Sequence, residues 1–462
     1  MSTHTLSKSQ IDALTSAAGK KNLIHDASSC WVYGQDNSRQ HRAPLAVVFA
    51  TDHDQVVRVI QVCNQLRLPV FTRGRGTGTA GGAVPSTAGI VLSMERMDNI
   101  LKVDPDNRAI RVQPGVLNQA VQTEAGKFGL FWPPDPTSAA FCTVGGNLAV
   151  NSAGPRTLKY GSTRDNVLQL KAVSGDGRTL TTGEYTTKGV VGYDLTRLLI
   201  GSEGTLAVIT EAALKLTPVP EQIRTMQLIY NSVGQAAEAV KNIMRSPVLP
   251  RTIEFMDTAA INLIRNQPGM DLPDTAAAIL MVEVDGIGAG LDSAIDQILQ
   301  SSSAGRLQHR LARTPQEAGE LWAARKILSP TLRNIAPNKL NEDVVVPVAE
   351  IANLISGLER LSEKFDIPIV NFGHAGNGNI HVNLLYDTQN EAQASQARPC
   401  LDAVFELVLN LDGTISGEHG IGLVKREYVG RELSVTDMEI MKGIRQVFDP
   451  NGILNPGKVF PD

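Results

Sequence analysis

Residues 73–90 read RGRGTGTAGGAVPSTAGI, and this glycine-rich stretch decides the fold class. It offers many backbone N–H groups with few Cβ atoms in the way, so consecutive amides can converge on one phosphate. Arg73 and Arg75 add positive charge. The stretch lacks the GxxxxGK[ST] pattern of a P-loop, and it continues into a strand-like segment instead of opening a helix as a Rossmann fingerprint does. Taken alone, it is also compatible with a plain flexible loop.

The surroundings of this stretch favour a ligand site. A βαβ-like pattern precedes it, with a strand at Ala46–Ala50, an amphipathic helix at about Asp52–Leu66 and a strand at Val70–Thr72. Three further glycine clusters follow, at residues 143–147, 151–155 and 201–205. Several glycine loops in one domain predict a long ligand with a diphosphate, contacted along its length.

The composition changes after residues 216–222, where glycine thins out and longer helical patterns alternate with strand-like runs. We therefore predict that a second α+β domain, which contains residues 372–383, begins at this point.

Charge, apolar patterning and cysteine spacing argue against several classes of protein. A net charge of −4 without a basic run argues against nucleic-acid binding. The N-terminus has no apolar signal region, and no long apolar span occurs. Four scattered cysteines without CxxC spacing predict free thiols in a reducing compartment. The expected location is cytoplasmic, with peripheral attachment to the inner face of the membrane as the alternative.

A second informative stretch is FGHAGNGNIHVN at residues 372–383, which holds two of the eight histidines. Two strand-like segments flank Ala-Gly-Asn-Gly, a typical hairpin loop. If His374 pairs with Asn379, then Phe372 pairs with His381, and strand alternation places His374, His381 and Asn383 on one face. A register shift of one residue would separate the two histidines.

Two imidazoles need a further ligand to bind a metal, and a carboxylate is the usual third one. GTISGEHGIG at residues 413–422 offers Glu418 beside His419. The competing interpretation is that these histidines are hydrogen-bonded core residues. The clustering of ligand-type side chains in two glycine-rich turns favours a metal site.

At this point the sequence resembles the flavoproteins of vanillyl-alcohol oxidase or p-cresol methylhydroxylase type, in the branch of FAD-linked D-2-hydroxy-acid dehydrogenases (D-lactate, glycolate and D-2-hydroxyglutarate dehydrogenases). The resemblance covers nearly the whole chain, and the motifs occur in the family's order. The matching motifs are RGRGTGTAGG, PGV at 114–116, FWPPDP at 131–136, TVGGNLAVNSAGP, KYGSTRDNV, GSEGTLAVIT at 201–210, GHAGNGNIH, GEHGIG and NPGK.

The resemblance implies FAD as cofactor. It also implies an α+β fold of three segments: residues 1–221 form the FAD-binding domain, residues 222–423 form a cap with an antiparallel sheet, and residues 424–462 return to the first domain. Members with covalently attached flavin often carry His at the position of Thr77, so we predict non-covalent FAD and interpret Cys142 as a small packed residue. The positions that the resemblance assigns to FAD binding are Arg73, Gly74, Arg75, Gly76, Thr77, Gly78, Gly81, Gly82, Asp135, Thr143, Gly146, Asn147, Gly154, Tyr160, Glu203, Ile209 and Asn455.

The resemblance also implies a divalent metal on His374, His381 and Glu418, with His419 as catalytic base. Zinc is the first choice of metal, with manganese or iron as alternatives. The substrate would be a small D-2-hydroxy acid whose carboxylate binds an arginine, because the guanidinium fork matches a carboxylate. The predicted substrate-binding residues are Arg325 in LWAARKILS, Ser329, Lys339 and Asn383. Ser329 replaces the family's usual Thr, and its spacing to Lys339 is one residue shorter.

The predicted function is oxidation of the 2-hydroxy acid to the 2-oxo acid, with D-lactate favoured over glycolate and D-2-hydroxyglutarate. The electron acceptor would be a quinone, a cytochrome or an electron-transfer flavoprotein, and a homodimer is one expected assembly. The alternatives are a non-redox FAD-containing transferase like alkyl-glycerone-phosphate synthase and a metal-dependent hydrolase. The hydrolase leaves the glycine clusters unexplained.

Overall fold

A computed structural model describes residues 5–265 and 272–461 of the chain. The strands are β1 Leu23–Ile24, β2 Ala46–Phe49, β3 Val70–Arg73, β4 Ile90–Ser93, β5 Ile100–Asp104, β6 Ala109–Val112, β7 Leu130–Phe131, β8 Val167–Ser174, β9 Thr179–Gly183, β10 Ala207–Lys215, β11 Thr217–Pro218, β12 Gln222–Tyr230, β13 Thr252–Met256, β14 Ala278–Gly286, β15 Arg306–Leu311, β16 Asn338–Val345, β17 Ile369–His374 and β18 Asn379–Tyr386. The α-helices are α1 Lys8–Ala18, α2 Ala27–Trp31, α3 His53–Leu66, α4 Asn118–Gly126, α5 Val144–Val150, α6 Thr157–Tyr160, α7 Leu195–Leu199, α8 Val233–Arg245, α9 Thr258–Ile264, α10 Gly288–Ser301, α11 Pro315–Thr331, α12 Ile351–Phe365, α13 Glu391–Asn410, α14 Val429–Glu432 and α15 Val435–Phe448.

The chain forms two compact units. The first comprises Met1–Gly154, Gly161–Val219 and Glu418–Asp462, and the second comprises Pro155–Tyr160 and Pro220–Gly417. The expected boundaries therefore differ at three places. The first division comes two residues earlier, residues 155–160 join the second unit, and the return to the first unit begins at Glu418 instead of residue 424.

The first unit begins with a four-stranded sheet of order β1-β2-β4-β3, in which β2, β4 and β3 are parallel. The βαβ pattern is confirmed here: Asp52 caps α3 by accepting a hydrogen bond from the Gln55 backbone N–H at 2.8 Å. Val56, Val59 and Ile60 on α3 are buried in the core of this sheet. The glycine-rich stretch leaves the end of β3, so a rigid parallel strand positions it.

The rest of the first unit is built on a five-stranded antiparallel sheet of order β5-β6-β10-β8-β9 with its own apolar core. The C-terminal segment returns to β3. The Val70 backbone N–H donates to Ile453 O, and the Asn455 backbone N–H donates to Val70 O, both at 2.8 Å. Ile453 and Leu454 are buried in the core of the first sheet. Residues far apart in sequence thus meet beside the glycine-rich stretch.

The second unit contains a seven-stranded sheet of order β15-β12-β14-β13-β17-β18-β16, and every strand pair in it is antiparallel. Helices α9 and α11 pack on one face of this sheet around Phe372, Met256 and Leu328. The predicted α+β cap with an antiparallel sheet is confirmed. None of the described helices is both long enough and apolar enough to cross a bilayer.

Candidate active site

The loop after β3 has the geometry of an anion cradle. A Cβ at Gly74 would lie 2.4 Å from Thr143 Oγ1, so this approach requires glycine, and Gly76 and Gly81 have φ values of +67° and +77°. Within the described part of the chain, the backbone N–H groups of residues 75–79 donate no hydrogen bond to protein atoms. Open amides with few side chains fit the diphosphate of FAD.

Arg73 lies at the base of this cradle and is well ordered by its neighbours. Its Nη1 donates to Gln35 O at 2.5 Å, and its guanidinium lies 5.9 Å from the Tyr33 ring centroid. Burial lowers the pKa of Arg73, while the nearby carboxylates of Asp36 and Glu95 act in the opposite direction. Arg75 is exposed and adds charge at the outer surface of the loop.

Three other predicted FAD positions, Thr143, Gly146 and Asn147, lie at the start of α5. Thr143 caps α5 by accepting from the Gly146 N–H at 3.2 Å. Asn147 is buried and its amide donates to Cys142 Sγ at 3.4 Å and Ser152 Oγ at 3.2 Å. The side chain of Asn147 therefore organises this turn. Cys142 itself is buried, as predicted, and all four cysteines are free and buried.

Four further predicted FAD positions lie apart from these residues. Gly154 is pressed against Asp135, since a Cβ there would lie 2.7 Å from the Asp135 carbonyl oxygen. Ile209 is half-buried on β10, opposite Ala172. Tyr160 belongs to the second unit, where its hydroxyl donates to Asp285 Oδ2 at 2.6 Å and burial raises its pKa.

Glu203 and Asn455 form hydrogen bonds that connect separate segments of the first unit. The Glu203 carboxylate accepts from the backbone N–H groups of Ile421 and Gly422 at 2.7 and 2.8 Å, and Asn455 Nδ2 donates to Glu203 O at 2.6 Å. Burial raises the pKa of Glu203 against these hydrogen bonds. The structure thus gives Glu203 a role that its motif did not reveal: it holds the GEHGIG turn that carries His419.

Lys458 of NPGK is a residue that sequence reasoning missed. Its side chain is fully buried, and Nζ donates to the carbonyl oxygens of Gly81, at 2.5 Å, and Val84. Burial lowers its pKa to about 8. A buried lysine that binds backbone carbonyls fixes the path of the glycine-rich stretch, and its charge lies near the cradle.

The histidine hairpin has the predicted register. Phe372 pairs with His381 and His374 pairs with Asn379, which confirms that both histidines share one face. Their ring centroids lie 5.3 Å apart with the planes at 83°. The loop depends on glycine at Gly378, whose φ is +73° and where a Cβ would collide with Val346 O.

The third predicted ligand, Glu418, comes next in the chain after a residue that is hydrogen-bonded to the same sheet. The Gly417 N–H donates to Asp343 O at 3.0 Å and to Asp343 Oδ2 at 2.8 Å, and Asp343 is the β16 partner of His381. This anchor sets the position of the next residue, Glu418. One ligand atom from each of His374, His381 and Glu418 lies within 4.8 Å of the others. The donor set, two imidazoles and a carboxylate, fits a divalent metal.

Glu254 on β13 was not predicted from the sequence. It is 1% exposed and lies opposite His374 in the sheet. One carboxylate oxygen bonds His374 Nδ1, and the other accepts from Arg325 Nε at 3.0 Å. Burial acts to raise the pKa of Glu254, whereas its contacts with His374 and Arg325 lower it to about 2. An acid in the otherwise apolar buried run IEFM was the available signal.

Because the ionised carboxylate only accepts, the Nδ1 of His374 carries the proton and Nε2 has the lone pair that binds a metal. Arg325 lies over the Phe372 ring at 4.5 Å, on the same sheet face as His374. Within the described residues, its terminal Nη groups make no hydrogen bond, so this edge is open to a carboxylate.

The other predicted substrate residues are less clearly placed. Ser329 is exposed on α11. Lys339 is half-buried on β16, opposite Leu385. Asn383 is fully buried; its amide donates to Val370 O at 3.0 Å and its Oδ1 accepts from Asn341 at 2.7 Å. These contacts make Asn383 part of the sheet, and its binding role stays a prediction.

His419 lies beside the predicted ligand Glu418. Its Nε2 is 3.9 Å from Glu418 Oε1, and its side chain is 20% exposed. An imidazole in this position can exchange a proton with a small molecule at the cluster. Its role as base stays a prediction.

Comparison with known proteins defines the class. Residues 44–183 match an FAD binding domain, and residues 219–459 match the C-terminal domain of FAD linked oxidases. Solved structures of p-cresol methylhydroxylase with substrate bound (18% identity, TM-score 0.78, 98% of this chain and 97% of that chain) and alkyldihydroxyacetonephosphate synthase (19%, 0.76, 99% and 86%) share the fold. The chain therefore combines an FAD binding domain with the C-terminal domain of FAD linked oxidases and has the fold of these solved structures, which confirms the predicted fold class.

Curated relatives narrow this class. The chain is 36% identical to glycolate oxidase subunit GlcD of Bacillus subtilis, over 98% of this chain and 97% of the relative. It is 34% identical to D-lactate dehydrogenase of Anaerostipes hadrus (90% and 89%) and 30% identical to D-2-hydroxyglutarate dehydrogenase of Stutzerimonas stutzeri (97% and 98%). The chain belongs to the family of FAD-linked D-2-hydroxy-acid dehydrogenases, and the predicted flavin-dependent oxidoreductase is confirmed.

Proposed function

We propose that the protein oxidises a D-2-hydroxy acid to the 2-oxo acid, using non-covalent FAD and a divalent metal held by His374, His381 and Glu418. The observation that carries this proposal is the Glu254 carboxylate, which bonds a predicted metal ligand at one oxygen and the predicted carboxylate-binding arginine at the other. An arginine beside a candidate metal cluster suits a substrate whose carboxylate and hydroxyl are on neighbouring carbons.

When bound, FAD supplies the hydride acceptor and the metal supplies Lewis acidity toward the hydroxyl group. The chain supplies position and proton transfer. Arg325 binds the substrate carboxylate through its open Nη edge, and Glu254 orients that edge through Nε. His419 accepts the hydroxyl proton at its imidazole, which suits a group that titrates near neutral pH. The C2 hydrogen leaves as hydride.

Among substrates, D-lactate is favoured. A dicarboxylate such as D-2-hydroxyglutarate needs a second basic anchor, and Lys339 is the candidate for it on the sheet that carries the histidines. Glycolate fits the same chemistry with a smaller side group. Zinc is the first candidate metal, and manganese or iron accept the same donor set.

The electrons must then pass to a second acceptor. A quinone, a cytochrome or an electron-transfer flavoprotein would serve, since the chain has no nicotinamide fingerprint. We propose a homodimer as the working assembly. A cytoplasmic location, with attachment to the inner face of the membrane, would place the protein near a quinone pool.

The decisive experiment is anaerobic flavin bleaching with D- and L-lactate, glycolate and D- and L-2-hydroxyglutarate. It is run before and after metal removal by a chelator and again after adding Zn²⁺, Mn²⁺ or Fe²⁺. We expect fast bleaching by D-lactate, loss on chelation and recovery with one metal. The absence of bleaching by any 2-hydroxy acid in metal-loaded protein would refute the function. Unchanged bleaching after complete metal removal would refute the role of the metal.

His419→Ala tests the base separately. The variant should retain FAD and metal but reduce its flavin about 10²- to 10⁴-fold more slowly, the usual contribution of a positioned acid or base. Wild-type protein at matched FAD content serves as the control. Near-normal flavin reduction in His419→Ala would contradict the assignment.

A further inference from the structure

Glu254 occupies an unusual position for an ionisable group. It is 1% exposed, lies in the interior of β13 and contacts two functional side chains that come from β17 and α11. A second acid, Glu283 on the neighbouring strand β14, also holds α11, by accepting from Trp322 Nε1 at 2.6 Å. Glu283 contacts Thr225 and Arg251 as well, but in the part of the chain that the structure describes it contacts none of the three candidate metal ligands. Both acids therefore anchor α11, but only Glu254 also orients His374. Variants of the two acids can distinguish these two roles.

We propose that Glu254 is a positioning residue that makes the metal site and the carboxylate site of the enzyme interdependent. This inference rests on the proposed function. One oxygen of Glu254 fixes the proton of His374 on Nδ1, and the other accepts from Arg325 Nε and so orients the guanidinium. A metal on His374 and a carboxylate on Arg325 are then held by one shared group.

The chemistry of the carboxylate explains why glutamate is needed. Both of its oxygens accept, so it can bind two N–H donors at once. Glutamine of the same shape has one oxygen and one NH₂ group. If the NH₂ group faces Arg325 Nε, two donors oppose each other; if it faces His374 Nδ1, the imidazole proton moves to Nε2 and blocks metal binding.

Sharing one acid also has a thermodynamic consequence. Metal bound at His374 orders Glu254, and Glu254 then holds Arg325 ready for a carboxylate. Two ligands that favour the same arrangement of a shared group strengthen each other's binding, by the same factor in both directions. A simple monocarboxylate such as propionate, which lacks the 2-hydroxyl, should therefore bind more tightly to metal-loaded protein than to metal-free protein.

The test compares FAD-loaded wild type, Glu254→Gln, Glu254→Asp and the control Glu283→Gln. Zn²⁺ affinity is measured by competition with a chelating dye, and propionate affinity by perturbation of the flavin spectrum with and without Zn²⁺. We expect Glu254→Gln to weaken Zn²⁺ binding about 10- to 100-fold, as loss of an outer-shell partner usually does. Glu283→Gln should keep the wild-type Zn²⁺ affinity, and the effect of Zn²⁺ on propionate should vanish only in the Glu254 variants.

Thermal unfolding and FAD content identify variants that do not fold. If Glu254→Gln fails this check, Glu254→Asp decides, because it retains the charge but is too short to reach both partners. Wild-type Zn²⁺ affinity and intact coupling in a folded Glu254 variant would overturn the inference and leave the proposed function standing. If wild type binds no metal, the metal-assisted function fails and this inference with it.

Discussion

Arg325→Lys tests how the substrate carboxylate is held. Among residues 5–265 and 272–461, no hydrogen bond involves either Nη group of Arg325, so a carboxylate can form two parallel charge-assisted hydrogen bonds there. Lysine keeps the charge but offers one donor centre, and it loses the Nε contact with Glu254. If one of two charged hydrogen bonds and the orientation are lost, the cost is about 2–4 kcal/mol. This cost corresponds to a fall of about 30- to 1,000-fold in kcat/KM.

The assay is anaerobic stopped-flow reduction of the flavin over a range of D-lactate concentrations, which separates the binding constant from the reduction rate. We expect most of the loss in the binding constant, with FAD content little changed. Lys326→Ala, which removes the exposed charge next along α11, is the matched control. A loss of less than about fivefold in Arg325→Lys, near the error of such contact estimates, would refute carboxylate binding by the Nη edge.

Three further predictions concern other parts of the chain. Glu203→Ala should lower the free energy of unfolding by about 2–4 kcal/mol, because the N–H groups of Ile421 and Gly422 lose their acceptor; an unchanged melting temperature would contradict this. Burial raises the pKa of Asp257 from 3.8 to about 7, so the folded state holds its proton more tightly and stability should fall as pH rises from about 4 to 7. Asp257→Asn should reduce this dependence of the unfolding free energy on pH, measured by urea titration at several pH values. The same pH dependence in the variant and the wild type would refute the role of Asp257. If FAD is bound non-covalently, as predicted from Thr77, acid precipitation should release all of it into the supernatant; yellow colour in the washed pellet would disprove non-covalent binding.

Local patterns in the sequence were sufficient to predict the histidine hairpin and the βαβ unit before the glycine-rich stretch. The hairpin register follows from loop length and strand alternation, both of which are local, and it brings His374 and His381 to one face. The βαβ unit before the glycine-rich stretch was equally readable, because Asp52 caps a helix with clear amphipathic spacing.

Contacts between distant residues were not readable. Glu254 precedes His374 by 120 residues, and only the pairing of β13 with β17 makes them neighbours. The same limit applies to Glu203, whose motif suggested a cofactor contact but whose carboxylate binds the turn at Ile421. Residues 155–160 lie in the sequence between two segments of the first unit, yet they belong to the second unit. No change in composition marks this short segment.

The return of residues 418–461 to the first unit constrains when this protein can mature. Ribosomes release the N-terminal half first, but β3 then lacks its neighbours Ile453 and Asn455, and the turn at Gly81 lacks Lys458. The second unit has its whole sheet as soon as β18 emerges. We expect the cap to fold before the flavin-binding half is complete, so cofactor loading should be a late, post-translational event.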